Sequence, residues 1–336
     1  MQNPKNMKEI ARILGISTVS VSLALRNSPR VSGELKERVL KLAESCNFKT
    51  RDYPRSRSRK NNVKRLKIAV LYSEDNTDSV APTILNAVMK RLAEKDVSFN
   101  VLSCSEALSD PFLSATFDGF LYYYNLDEAD LPLLGNKPQV AIMNDYFDCN
   151  NFDNCKVHNE LAGKIAADYL LGRGFHRILT VWEEISTGEK QDCHPRMLGF
   201  RERLAKSDVS ITPIHFSRKK DLAPFAQALK EELDRREEPL GIFAFNDLTA
   251  FQVCSVLDLQ GRWLEPGKLE MICCDNTFLL KQLPTPIPVV DLHIEKVAAA
   301  AVDRLVYRFQ NPEENFVEIL FKPNLVLPSG NLSRSE

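Results

Sequence analysis

The chain has 336 residues, 44% hydrophobic and 26% charged, and 44 Lys and Arg against 45 Asp and Glu leave a formal net charge of −1. That length exceeds one ordinary domain, and the composition excludes a disordered, collagen-like or disulfide-stapled chain. No apolar run approaches the roughly 18 residues of a membrane span, and the N-terminus lacks a charged segment followed by an apolar stretch, so a cytoplasmic protein without a signal peptide is expected.

The near-neutral total hides an uneven distribution. Residues 1–65 hold 16 Lys and Arg against 5 Asp and Glu, a net of +11, whereas residues 66–336 hold 28 against 40, a net of −12. Within the basic head, Asn6 and Glu9 stand at capping-box spacing before Met7, Ile10, Ala11 and Leu14, which recur at helical period. Gly15 ends that helix, and Ser17 can cap a second one whose inward positions are Val21, Ala24 and Leu25, leaving Thr18, Val19, Ser20, Ser22 and Leu23 more exposed. A third helix follows from Ser32, with Leu35, Val39, Leu42 and Ala43 as its apolar stripe. Two short helices joined by a Gly turn form a helix-turn-helix, although a generic three-helix bundle has the same pattern. The charge decides between them, because each phosphate neutralised on DNA releases a condensed counterion.

Met7-Lys8-Glu9-Ile10-Ala11, Gly15-Ile16-Ser17, Val21-Ser22-Leu23-Ala24-Leu25, and Val31-Ser32 followed by Arg38-Val39 and Ala43 resemble the DNA-binding head of the lactose/galactose repressor (LacI/GalR-type) family. The resemblance implies a cytoplasmic, nucleoid-associated transcriptional regulator, a repressor that binds a palindromic operator as a homodimer under allosteric control by a small molecule, typically a sugar. It places Thr18, Val19 and Ser20 at base edges in the major groove. Leu23 stands where relatives often carry Arg, which replaces a guanine contact with an apolar one such as a thymine methyl. Asn6, Ser17, Arg26 and Ser32 are expected to position the head on phosphates.

The head is assigned to residues 1–48 and a linker to 49–65, where eight cations, Arg51, Arg55 and Arg57 among them, stand among serines and asparagines with little apolar beyond Tyr53. Such a stretch cannot bury itself; beside DNA it is expected to track the phosphates. In the resembling family a hinge helix here enters the minor groove and wedges it open. This chain departs from that pattern, with Pro54 inside the expected helix and Arg57 in place of the wedge leucine, so a basic hinge that bends DNA less is expected.

From Leu66 short apolar runs alternate with helical stretches. Strands are expected at 66–72, 98–102, 119–124, 140–143, 178–182, 212–216, 241–245 and 270–274, and helices at 82–94, 160–171, 197–206, 224–235, 248–260 and 295–309. Such alternation gives parallel sheets covered by helices on both faces. With the family resemblance, residues 66–336 become an effector-binding and dimerisation domain of two Rossmann-like lobes, periplasmic-binding-protein-like, joined to an all-α head. Lobe 1 spans about 66–159 and 293–322, lobe 2 about 160–292 and 323–330, and Val289-Val290-Asp291-Leu292 is expected to cross back toward the first sheet. No leucine heptads follow Pro328, so a dimer rather than a tetramer is expected.

Ligands of open α/β sheets bind beyond the carboxyl ends of the strands. Asn246 and Asp275 each follow such a strand, and Arg196 opens a helix; an amide, a carboxylate and a guanidinium fork suit a polyhydroxylated molecule. Each has an ordinary alternative: Asn246 merely exposed beside an Asp247 cap, Asp275 a turn residue, Arg196 a surface charge. The family resemblance implies that all three bind the effector. No nucleophile elbow, phosphate loop or metal-ligand spacing occurs, and the eight cysteines form no C-x-x-C pair, so catalysis, cofactors and metals are not expected. The competing assignment is a two-lobed solute-binding protein without a regulatory role, which would carry a secretion signal in place of the basic head.

Overall fold

A computed structural model describes residues 7–25, 31–45, 66–72, 79–109, 115–123, 137–145, 152–184, 193–217, 220–235 and 239–328. The chain separates into two compact units, Met1–Lys64 and Arg65–Glu336.

The first unit holds α1 (Met7–Leu14), α2 (Thr18–Leu25) and α3 (Gly33–Ser45). Gly15 takes a positive φ of 66°, which lets Ile16 N–H donate back to Ala11 O at 2.9 Å and ends α1. Ser17 caps α2, its Oγ accepting from Ser20 N–H at 3.0 Å, and Ser32 Oγ accepts from Leu35 N–H at the start of α3. Ile10, Ala11, Val21, Ala24, Val31, Val39 and Ala43 make the core. Leu23 departs from expectation: it is half-buried and packs on this core rather than standing free.

The second unit is two six-stranded sheets. The first contains β1 (Lys67–Tyr72), β2 (Ser98–Ser103), β3 (Gly119–Tyr123), β4 (Gln139–Ile142), β5 (Asp153–Val157) and β11 (Glu318–Phe321), in the order β11-β5-β4-β3-β1-β2. The second contains β6 (Arg177–Glu183), β7 (Ser210–Phe216), β8 (Leu240–Ala244), β9 (Leu269–Asp275), β10 (Val289–Asp291) and β12 (Asn324–Val326), in the order β12-β10-β9-β8-β6-β7. All pairings are parallel except β10 with β12. In both sheets the order reverses beside the first strand, the switch point beyond which α/β ligands bind.

Helices cover the sheets as the apolar spacing expects. α4 (Val80–Glu94) and α10 (Ile294–Gln310) pack together on the first sheet, tied by Arg91 and Lys95 to Asp303 at 2.7 and 2.9 Å. α5 (Cys104–Ser109) follows β2. α6 (Asn159–Gly172), α7 (Pro195–Leu204), α8 (Ala223–Asp234) and α9 (Asp247–Leu259) belong to the second lobe, and a 3-10 turn, Phe278–Gln282, follows β9. Two expectations are corrected. β10 does not lead away toward the first sheet; it pairs with β9, Asp291 opposite Asp275, and the chain crosses only afterwards, at His293, whose φ is 54°. β5, absent from the expected strands, is a fully paired member of the first sheet.

Candidate functional site

On the head, Ser17, Thr18 and Val19 are exposed at the start of α2, Val19 at 65%, while Ser20 and Leu23 are half-buried. An exposed valine on so small a unit is apolar surface not used by the core, in the place where a groove-reading helix meets base edges. Ser32 is exposed before α3. Asn6, Arg26, Arg51, Arg55 and Arg57 lie outside the described residues, as does the whole linker.

In the body, one close helix contact builds the second site. Gly163 of α6 and Gly199 of α7 face the neighbouring backbone so tightly that a Cβ on Gly163 would lie 1.9 Å from Arg196 O and one on Gly199 2.1 Å from Glu160 O. Only glycine permits this approach, and it sets Asn159, the first residue of α6, beside Arg196, in the first turn of α7. Arg196 is therefore no surface charge. Its Nε and Nη2 donate to Asn159 Oδ1 at 3.1 and 3.0 Å, Nη1 donates to Phe245 O at 2.6 Å, and Nη2 lies 3.4 Å from Asp275 Oδ1. The guanidinium also lies over the Phe245 ring at 4.4 Å.

Asp275 closes β9 at a positive φ of 96°, with Asn276 following at 66°. Two successive non-glycine residues in left-handed conformations are costly, by about 1–3 kcal/mol each, and such strain gathers where a side chain must be aimed. Asn246, rather than Asp247, caps α9: its Oδ1 accepts from Thr249 N–H at 2.9 Å and from Thr249 Oγ1 at 2.7 Å. That leaves its Nδ2 without a partner among the described residues, on a half-buried side chain. The structure thus brings Arg196, Asn246 and Asp275 together at the carboxyl ends of β8 and β9, with unequal access: Arg196 and Asp275 are buried, Asn246 partly open.

Two residues that sequence reasoning did not assign to this cluster join it. Asn159 Nδ2 donates to Asp145 Oδ2, beyond β4 in the first lobe, so one amide links Arg196 to the opposite lobe. His194 caps α7, Nδ1 accepting from Arg196 N–H at 3.1 Å, and packs edge-on against Phe245. Burial, and secondarily the Arg196 charge, push its pKa down to about 3. Burial raises the Asp145 carboxyl above its ordinary range, while Lys156, Asn159 and Arg196 pull against that rise. Among the described residues no cluster of three or more His, Cys, Asp or Glu could hold a metal ion, and no helix is long and apolar enough to cross a membrane.

Fold and site together define a class: a helix-turn-helix reader joined to a two-lobed, periplasmic-binding-protein-like body with a polar cluster between the lobes. Residues 6–51 match the model of bacterial regulatory proteins of the lacI family, and residues 167–327 match the periplasmic binding protein-like domain. The chain thus joins a lacI-family helix-turn-helix head to a periplasmic binding protein-like domain, the arrangement of bacterial transcriptional regulators of that family. It is 23% identical to the ribose operon repressor of Haemophilus influenzae over 337 aligned positions, 96% of this chain and 97% of that protein. Among solved structures it is similar to a transcriptional regulator CelR–cellobiose complex, with a TM-score of 0.63 and 19% identity over 96% of this chain and 99% of that one. It is also similar to the lac repressor dimer bound to operator and an anti-inducer, with a TM-score of 0.64 and 18% identity over 96% and 98%.

Proposed function

We propose that this regulator is a repressor that binds a near-palindromic operator as a homodimer and releases or grips it according to a neutral, polyhydroxylated effector held between the lobes. The observation that carries the effector reading is the buried Arg196 cluster. Asp275 balances the guanidinium, Asn159 and Phe245 O fix its orientation, and the open Asn246 amide offers donors, so the site recognises hydroxyls without demanding a charged ligand. Relatives bearing the names of ribose and cellobiose support the same chemistry. On the DNA side, Thr18, Val19 and Ser20 meet base edges, and Asn6, Ser17, Arg26 and Ser32 sit on phosphates, with Arg51, Arg55 and Arg57 following the backbone. Leu23 combines an apolar base contact with its share of the head core.

Two measurements test this. Fluorescence anisotropy on duplex DNA at low salt should give tight binding that weakens steeply as salt rises and that disappears when residues 1–60 are deleted. Thermal-shift screening of a panel led by D-ribose and cellobiose should find a sugar that raises the melting temperature of the wild type but not of Asp275→Asn. DNA binding that survives removal of the head, or a panel in which only phosphorylated compounds bind, contradicts the proposal.

A further inference from the structure

Ser79 immediately precedes α4, a position where serine ordinarily turns its hydroxyl onto the amides of its own first turn. It makes no such cap. Its Oγ donates instead to Oδ1 of Asp247, the first residue of α9, so the bond runs from the first lobe to the second. Asp247 Oδ2 accepts from Thr277 N–H at 3.0 Å and from Thr277 Oγ1, inside the second lobe. Ser79, Asp247 and Thr277 are all buried, and no Lys, Arg or His among the described residues pairs with the Asp247 carboxylate.

A carboxylate enclosed without a cation depends on every hydrogen bond it receives. With the lobes together, Ser79 supplies the Oδ1 donor; with them apart, water does. The bond therefore favours the closed arrangement alone, and removing the hydroxyl leaves Oδ1 short of a donor only there. Position adds the second half of the argument. Asp247 follows Asn246 directly, and Thr277 lies two residues beyond Asp275, so the carboxylate is joined to two of the three residues of the polar cluster.

We propose that the Ser79–Asp247 hydrogen bond is a clasp between the lobes, with Asp247 the positioning residue through which movement of Asn246 or Asp275 reaches the first lobe. Only that last step rests on the effector reading. The clasp itself is tested on the full chain without DNA or sugar, so its failure leaves the proposed function standing.

Hydrogen–deuterium exchange of Ser79→Ala should accelerate about tenfold or more in peptides covering the starts of α4 and α9, the shift expected from losing a hydrogen bond to a charged group in one of two states. The peptide containing Thr277 should keep its protection, because the bonds within the second lobe are untouched. Ser79→Thr, which keeps a hydroxyl, should exchange as the wild type does. Unchanged exchange at both helix starts in Ser79→Ala overturns the clasp. So does a general loss of protection that includes Thr277, since that marks a purely structural contact.

Discussion

At the residue scale, His194 has its Nδ1 occupied as an acceptor, so the neutral ring carries its proton on Nε2, 3.9 Å from Asp145 Oδ2. That carboxylate is too distant to offset burial and the neighbouring Arg196 charge, and the folded-state pKa falls to about 3. The unfolded chain takes up this proton near pH 6.5 and the folded protein does not until about pH 3. Stability from neutral His194 is thus fully present above pH 6.5 and declines as pH falls through that window, by about 1.4 kcal/mol per pH unit at most. Urea denaturation at pH 7.5 and 5.5 should show a smaller acid loss in His194→Asn than in the wild type, asparagine being able to cap the helix without titrating. Equal losses would show that the ring is already solvated. Sequence reasoning singled out Arg196, Asn246 and Asp275 because each stands at a strand end or helix start. It passed over Asn159 and Asp247, which look like ordinary first-turn residues until the opposite lobe supplies Asp145 and Ser79.

Elements show the same division between local and distant information. Most strands and helices of the body were legible within a few residues because their apolar runs or stripes are continuous, as in Ile242-Phe243-Ala244 of β8. β5 was not, since its sequence, DNCKV, has a polar majority. What makes it a strand lies about 150 residues away: Asp153 is fully buried because Arg308 of α10 donates to it at 3.0 and 2.8 Å and Arg304 lies at 3.0 Å. The α6–α7 pair gives an element-scale prediction. Gly199→Ala adds helix propensity of about 1 kcal/mol but drives a methyl into the Glu160 backbone, an overpacking cost of typically about 1–3 kcal/mol that rises when backbone rather than side chain must yield. Gly172→Ala, at the end of α6 where a Cβ meets nothing within 4 Å, receives the propensity without the clash. Chemical denaturation should therefore find Gly199→Ala destabilised and Gly172→Ala neutral or stabilised. Sugar binding should fall only in the former, because parting the helices draws Asn159 from Arg196. Two equally stable variants would mean that the helices are not in this contact.

On the scale of the whole molecule, function depends on a difference that the total charge conceals. A head of +11 and a body of −12 let one part hold DNA while the other repels it, so the effector acts on DNA binding by redistributing the conformations of the body rather than by direct contact with DNA. Thermodynamic linkage then fixes a quantity. If a sugar found by the thermal-shift screen changes operator affinity by some factor, operator DNA must change sugar affinity by the same factor, typically about 5- to 150-fold for allosteric coupling. Titrating that sugar into free protein and into protein saturated with operator measures one arm, and titrating operator with and without saturating sugar measures the other. Equal factors of either sign, induction or corepression, are the expected result. A sugar that binds free and DNA-bound protein alike is not the effector, because linkage then forbids it from altering operator affinity at equilibrium. Ser79→Ala sharpens the comparison: if lobe closure carries the coupling, losing the clasp shrinks both factors together while leaving the head's salt-dependent attraction to DNA unchanged.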